Sequence, residues 1–127
     1  MSKYFEIRLT EKEPFLNAMK NRILLFDGAM GTEIQRHDPK PEDFPNNQDG
    51  FNDGLVITHP EWIKQIHRNY LDAGSDCIET NSFGSNKIKL AEYGFGDQTI
   101  EFNKENRKRT IKYILENMYF NRLPHLR

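Results

Sequence analysis

Cysteine is almost absent from this chain. Cys77 is the single one in 127 residues, which excludes an internal disulfide and any C-x-x-C metal motif. Apolar residues are also few: they make up 36% of the sequence, the mean hydropathy is −0.82, and no apolar run approaches the ~20 residues that cross a bilayer. An excess of charge of one sign is missing too. Eighteen basic and nineteen acidic residues leave a net charge of −1, which gives no general field to attract nucleic acid or an anionic membrane. The opening Met1-Ser2-Lys3-Tyr4-Phe5-Glu6 lacks the apolar stretch of a secretory signal. These absences lead to the expectation of a cytoplasmic protein with neither nucleic-acid nor membrane partners. So polar a chain has little apolar area to offset an ordering cost of about 1.5 kcal/mol per residue.

Local signals divide what remains. Thr10-Glu11-Lys12-Glu13 has the form of a capping box, and Phe15, Leu16 and Met19 follow at helical spacing, so a short leading helix is expected. The apolar run Ile23-Leu24-Leu25-Phe26 stops abruptly at Asp27-Gly28-Ala29-Met30-Gly31, as a buried parallel strand entering a glycine-rich turn would. Thr32 then caps a short helix to about Arg36. Residues 38–53 hold prolines, asparagines and glycine without periodicity and are expected as a loop, with Leu55-Val56-Ile57 extended behind it. Thr58-His59-Pro60-Glu61 pairs a second capping box with proline in a first turn. Trp62, Ile63, Ile66, Tyr70 and Leu71 form one apolar face after it, and Gly74 occupies a C-terminal cap position.

Cys77-Ile78 reads as a second, brief strand running into Glu79-Thr80-Asn81. A helix from about Asn86 to Tyr93, a turn at Gly94 to Gly96 and a last helix from about Gln98 complete the chain. The charged stretch Lys104 to Arg109 breaks the apolar face of that last helix. Strands alternating with helices imply an α/β arrangement with parallel strands.

Ligands of parallel α/β folds meet the carboxyl ends of the strands, which places Asp27 and Glu79 on one rim. A rim carboxylate can face an ammonium group, while backbone at Gly28 and Gly31 approaches a carboxylate; together they form a grip for an α-amino acid. The competing reading is that aspartate and glycine are ordinary turn residues.

The words themselves add to this. Asp27-Gly28-Ala29-Met30-Gly31-Thr32-Glu33-Ile34-Gln35 resembles the D-G-[AG]-M-G-T-x-I-Q segment of the homocysteine S-methyltransferase family, in its cobalamin-dependent methionine synthase branch. Asn52-Asp53-Gly54-Leu55-Val56, Pro60-Glu61, Ala73-Gly74-Ser75-Asp76 and Ile78-Glu79-Thr80-Asn81-Ser82-Phe83 resemble the later words of that family, in order, over roughly Ile23 to Asn103. Members using betaine or S-methylmethionine as donor open differently and lack the insert from Asp38 to Asn52.

The resemblance implies a partial (β/α)8 TIM barrel of about the first two βα units. Residues 1–22 would be a leading helical segment, 23–103 the partial homocysteine-binding barrel, and 104–127 a divergent helix and tail. It implies homocysteine as partner, held by Asp27, Gly28, Gly31, Glu79, Thr80 and Asn81, and methyl transfer from methylcobalamin to give methionine. The full-length family enzyme uses zinc and cobalamin. Zinc there sits on three cysteines, and this chain has only Cys77, expected as a buried apolar residue; His37, His59, His67 and His125 show no ligand spacing. The expectation is therefore no catalytic residue, no metal and no cofactor for this chain alone, weak homocysteine binding, and a methyltransferase fragment whose remaining barrel lies elsewhere through truncation or a frame change. A non-catalytic amino-acid-binding module, or an interaction module working through Lys104 to Arg109, is the alternative.

Overall fold

The computed structural model describes residues 15–121, with side chains to residue 113. Six α-helices follow one another: α1 (Phe15–Asn21), α2 (Gly31–Gln35), α3 (Leu55–Thr58), α4 (Pro60–Asp72), α5 (Lys87–Glu92) and α6 (Thr99–Asn121). The first capping box, Thr10 to Glu13, and His125 lie outside the described residues.

The expected α/β arrangement with βα units of a barrel is not what the chain adopts. Among the described residues there is no strand and no sheet, only one isolated parallel bridge between Phe26 and Cys77. The Asp27 amide donates to the Cys77 carbonyl at 2.9 Å and the Cys77 amide to the Leu25 carbonyl at 3.0 Å, and regular pairing ends there. The physical reason is geometric. Parallel strands are stable when both edges and both faces are covered, and here Cys77-Ile78 is too short to extend a ladder while Ile23 is 85% exposed. The bridge still matters, because it fixes the two polar turns side by side. Asp76 reinforces it: its carboxylate accepts from the Leu25 amide at 3.0 Å and pairs with Arg22 at 2.8 Å.

Three other expectations are corrected. Residues 55–57 are not extended but begin α3, since the 3-10 turn Asn52–Gly54 delivers the chain already in helical geometry. The Thr58 capping box does not form, because His59 (φ −129°, ψ 58°) is the N-cap of α4 and makes no side-chain cap. Thr32 lies inside α2, whose N-cap is Met30.

The best-marked helix forms as its sequence dictates. Pro60 opens α4, and Ile63, Ile66 and His67 face the core. Gly74, at φ +106°, closes it with a Schellman motif: its amide reaches the Leu71 carbonyl at 3.1 Å and the Ser75 amide reaches Tyr70 at 3.0 Å. Asn86 caps α5 by accepting from the Lys89 amide at 3.0 Å.

The long loop is pinned rather than loose. It contains 3-10 turns at Pro41–Asp43, Pro45–Asn47 and Asn52–Gly54, and its Phe44 and Phe51 enter the core with Ile34, Leu55, Val56, Ile63, Ile66, Leu90 and Phe102. Phe51 stacks on Tyr93 at 4.2 Å between centroids and on Phe102 at 5.7 Å, which ties the loop to α5 and α6. Each such buried aromatic contributes about 1.5–3 kcal/mol of transfer free energy. No described helix is long and apolar enough to cross a membrane.

Candidate functional site

The turn that leaves Phe26 and the turn that leaves Cys77 lie side by side and together line a cleft of about 360 Å³. All of the residues singled out from the sequence, Asp27, Gly28, Gly31, Glu79, Thr80 and Asn81, line it. One backbone bridge is enough for this, because it sets both turns at the same height.

Asp27 forms the floor, with its side chain 3% exposed. Its Oδ1 accepts from the Glu79 amide at 3.1 Å, so one wall of the cleft holds the other. Burial raises the Asp27 carboxyl above the usual aspartate range, the Glu79 amide opposes that rise, and the Glu79 charge adds to it. Glu79 itself is exposed on the rim.

The glycines differ. A Cβ at Gly28 would meet the Tyr70 hydroxyl at 3.3 Å, and that hydroxyl donates to the Ala29 carbonyl at 2.8 Å, so Tyr70 packs close against the turn. A Cβ at Gly31 would meet only Asn52 Nδ2, at 3.8 Å, so no protein neighbour demands a glycine there. The helix opening at Gly31 has just 5 residues, and its dipole is correspondingly small.

Asn81 is buried and donates from Nδ2 to the Asn52 carbonyl at 2.9 Å, which joins the long loop to the cleft. Thr80 and Ser82 share a hydrogen bond between their hydroxyls.

Among the contributors that escaped the sequence reading as site residues, three stand out. Asn52 and Asp53 line the cleft from the loop, and Asp53 Oδ2 accepts from the Gly84 amide at 2.8 Å and the Ser85 hydroxyl at 2.7 Å. Burial raises the Asp53 carboxyl, against both of those bonds. The N-D-x-L-V word was their signal. His67 is the third: it sits beneath the floor, 0% exposed, with Nδ1 4.0 Å from Asp27 Oδ2. A search for ligand spacing passes over it, since its neighbour comes from a distant segment.

The zinc implied by the family resemblance does not fit the residues described. No group of three or more His, Cys, Asp or Glu side chains able to hold a metal occurs among them, and Cys77 is buried at the bridge.

Against known sequences, the homocysteine S-methyltransferase family model matches residues 24–114. A methionine synthase of Mycobacterium tuberculosis (strain ATCC 25618 / H37Rv) is 38% identical over 90 residues, covering 71% of this chain and 8% of that protein. The chain thus spans less than a tenth of that relative's length. The family match takes in both turns of the cleft, the loop that braces it and most of α4 to α6, and this chain belongs to the homocysteine S-methyltransferase family.

Proposed function

We propose that the cleft receives the amino-acid end of homocysteine, as one binding surface of a methyltransferase that forms methionine with methylcobalamin as donor. The observation that carries this reading is that two carboxylates, Asp27 on the floor and Glu79 on the rim, line one cleft together with Gly28 and Gly31. An ammonium group suits the carboxylates, and a carboxylate suits the backbone at Gly31, where the nearest side-chain atom to a Cβ would be Asn52 Nδ2 at 3.8 Å. The matched family and the methionine synthase relative support homocysteine as the amino acid.

These 127 residues alone bind weakly and do not transfer a methyl group. A thiol with a pKa near 8.5 must become a thiolate to attack, and the described residues offer no cluster for the metal that would achieve this. Catalysis then depends on further polypeptide that carries those ligands. A cytoplasmic location fits the same reading, since a free homocysteine thiol persists in a reducing compartment. The alternative of an interaction module through Lys104 to Arg109 has less support. Glu105 pairs with Arg109 at 2.7 Å and approaches Lys108 at 4.0 Å, and Asn106 turns inward.

Titration calorimetry of the full chain with homocysteine under reducing conditions tests the proposal. Saturable millimolar binding is expected, weakened about tenfold by Asp27→Asn or Glu79→Gln, as loss of one charge-assisted hydrogen bond implies. Binding should strengthen as pH rises through the raised Asp27 pKa, because only the ionised carboxylate holds an ammonium. Absence of binding, or indifference to both substitutions, refutes the reading. Methionine formation by this chain alone from methylcobalamin and homocysteine would refute the inactivity.

A further inference from the structure

Beneath the cleft lies a titratable side chain that the proposed binding does not use. His67 is fully buried in the middle of α4, and its Nδ1 has no hydrogen-bond partner among the described residues. Its Nε2 lies 3.5 Å from Thr110 Oγ1 on α6. On the other side, Nδ1 faces Asp27 Oδ2 at 4.0 Å.

A neutral imidazole has one N–H, on one nitrogen or the other, and the surroundings choose between them. With the proton on Nε2, the Nδ1 lone pair would point at a carboxylate oxygen, which is repulsive. With the proton on Nδ1, a donor faces the carboxylate, and the Thr110 hydroxyl rotates to donate to Nε2. Burial pushes the His67 pKa down to about 4, so the ring is neutral at pH 7 and a single N–H is what the site has to place.

Asp27 Oδ1 accepts from the Glu79 amide, and Oδ2 is the carboxylate oxygen that faces His67. The gap of 4.0 Å exceeds a hydrogen bond, whose limit is about 3.2 Å, so the ring and carboxylate must approach by just under about 1 Å. Hydrogen bonds at binding sites commonly tighten by such amounts when a ligand seats.

We propose that His67 is a positioning residue for Asp27, donating from Nδ1 to Oδ2 and so orienting the carboxylate for an ammonium ligand. The ligand part of this inference rests on the proposed homocysteine reading; the His67–Asp27 contact does not. Other titratable groups facing the pair are Glu79 and Tyr70 at Asp27, and Tyr113 at His67, its ring 6.3 Å away.

The test uses the full chain labelled with 15N in its histidine rings and 13C in its aspartate carboxyls. His67 is expected as the Nδ1–H tautomer; an Nε2–H tautomer overturns the proposal without any variant. The Asp27 carboxyl should titrate at higher pH in His67→Leu, because a donor that favoured the charged form is gone. His67→Asn, which places an amide N–H near the Nδ1 position, should return the midpoint toward that of the parent protein. An unchanged midpoint in a folded His67→Leu overturns the proposal. Homocysteine affinity should fall about tenfold in His67→Leu and recover in His67→Asn. If the parent chain binds no homocysteine, the functional reading and the orienting role fall together, while the tautomer and the Asp27 midpoint still decide the contact.

Discussion

A buried histidine leaves a mark on stability as pH changes. The unfolded His67 takes up a proton near pH 6.5, whereas the folded ring resists protonation until about pH 4. Folding stability attributable to this residue is therefore intact above pH 6.5 and lost as pH falls toward 4, by about 3 kcal/mol in all. Asp27 and Asp53 act in the opposite sense. Their folded pKa values lie above 3.8, so their burial costs stability while they are ionised and that cost is relieved as acid protonates them. Denaturant titrations of the parent and His67→Leu at a series of pH values isolate the histidine: the variant should show a flatter decline between pH 6.5 and 4, and parallel curves would contradict this. Asp53 offers a second check at neutral pH. It holds two short hydrogen bonds from Gly84 and Ser85, and Asp53→Ala should cost about 2–3 kcal/mol in the same assay. A loss below about 0.5 kcal/mol, the scale of an ordinary surface change, would mean that Asp53 does not brace the cleft. Asp27 and Glu79 were visible as chemistry because each ends an apolar run at a polar turn. His67 was not, because its meaning lies in what packs against it.

Helix α4 shows how far local signals reach. Its proline, its apolar spacing and its closing glycine each act within a few residues, and each is found where the pattern puts it. Helix α3 shows the opposite. Leu55-Val56-Ile57 is β-branched enough to suggest an extended piece, yet packing of the loop onto the core imposes a turn at Gly54. A Cβ there would lie 2.7 Å from the Phe51 ring and 2.8 Å from Pro45 Cδ, so Gly54→Ala should destabilise by about 1–3 kcal/mol through overpacking. An unchanged thermal midpoint would contradict that. Helix α6 carries a similar lesson. Its inward face is Phe102, Asn106, Thr110 and Tyr113, so the stretch read as a break in the apolar face is partly core. Neither amide atom of Asn106 reaches a partner among the described residues, and Asn106→Leu should stabilise by about 1 kcal/mol, read as a higher melting temperature. A lower one would show that the amide has a role that this packing does not reveal.

Across the molecule, burial is uneven. Ile34, Leu55, Ile63, Ile66 and Leu90 are fully enclosed, while Leu16, Met19, Ile23, Leu25 and Phe26 remain exposed from α1 into the bridge segment. An apolar surface of this kind should bind a hydrophobic dye, and Leu16→Lys with Ile23→Lys should reduce the fluorescence; equal signals would contradict it. The division between the two sources of information follows from range. Helix periodicity, caps and the turn words are encoded over a few neighbouring residues, so the chain order alone defines α4, the two polar turns and the family. Strand pairing depends on segments far apart and on neighbours at both edges. Only the folded chain shows that Ile23 to Phe26 and Cys77 meet at one bridge instead of a sheet, that the loop's Asp53 and Asn52 close one side of the cleft, and that a histidine lies under Asp27, because burial and long-range contact exist only after the chain has packed.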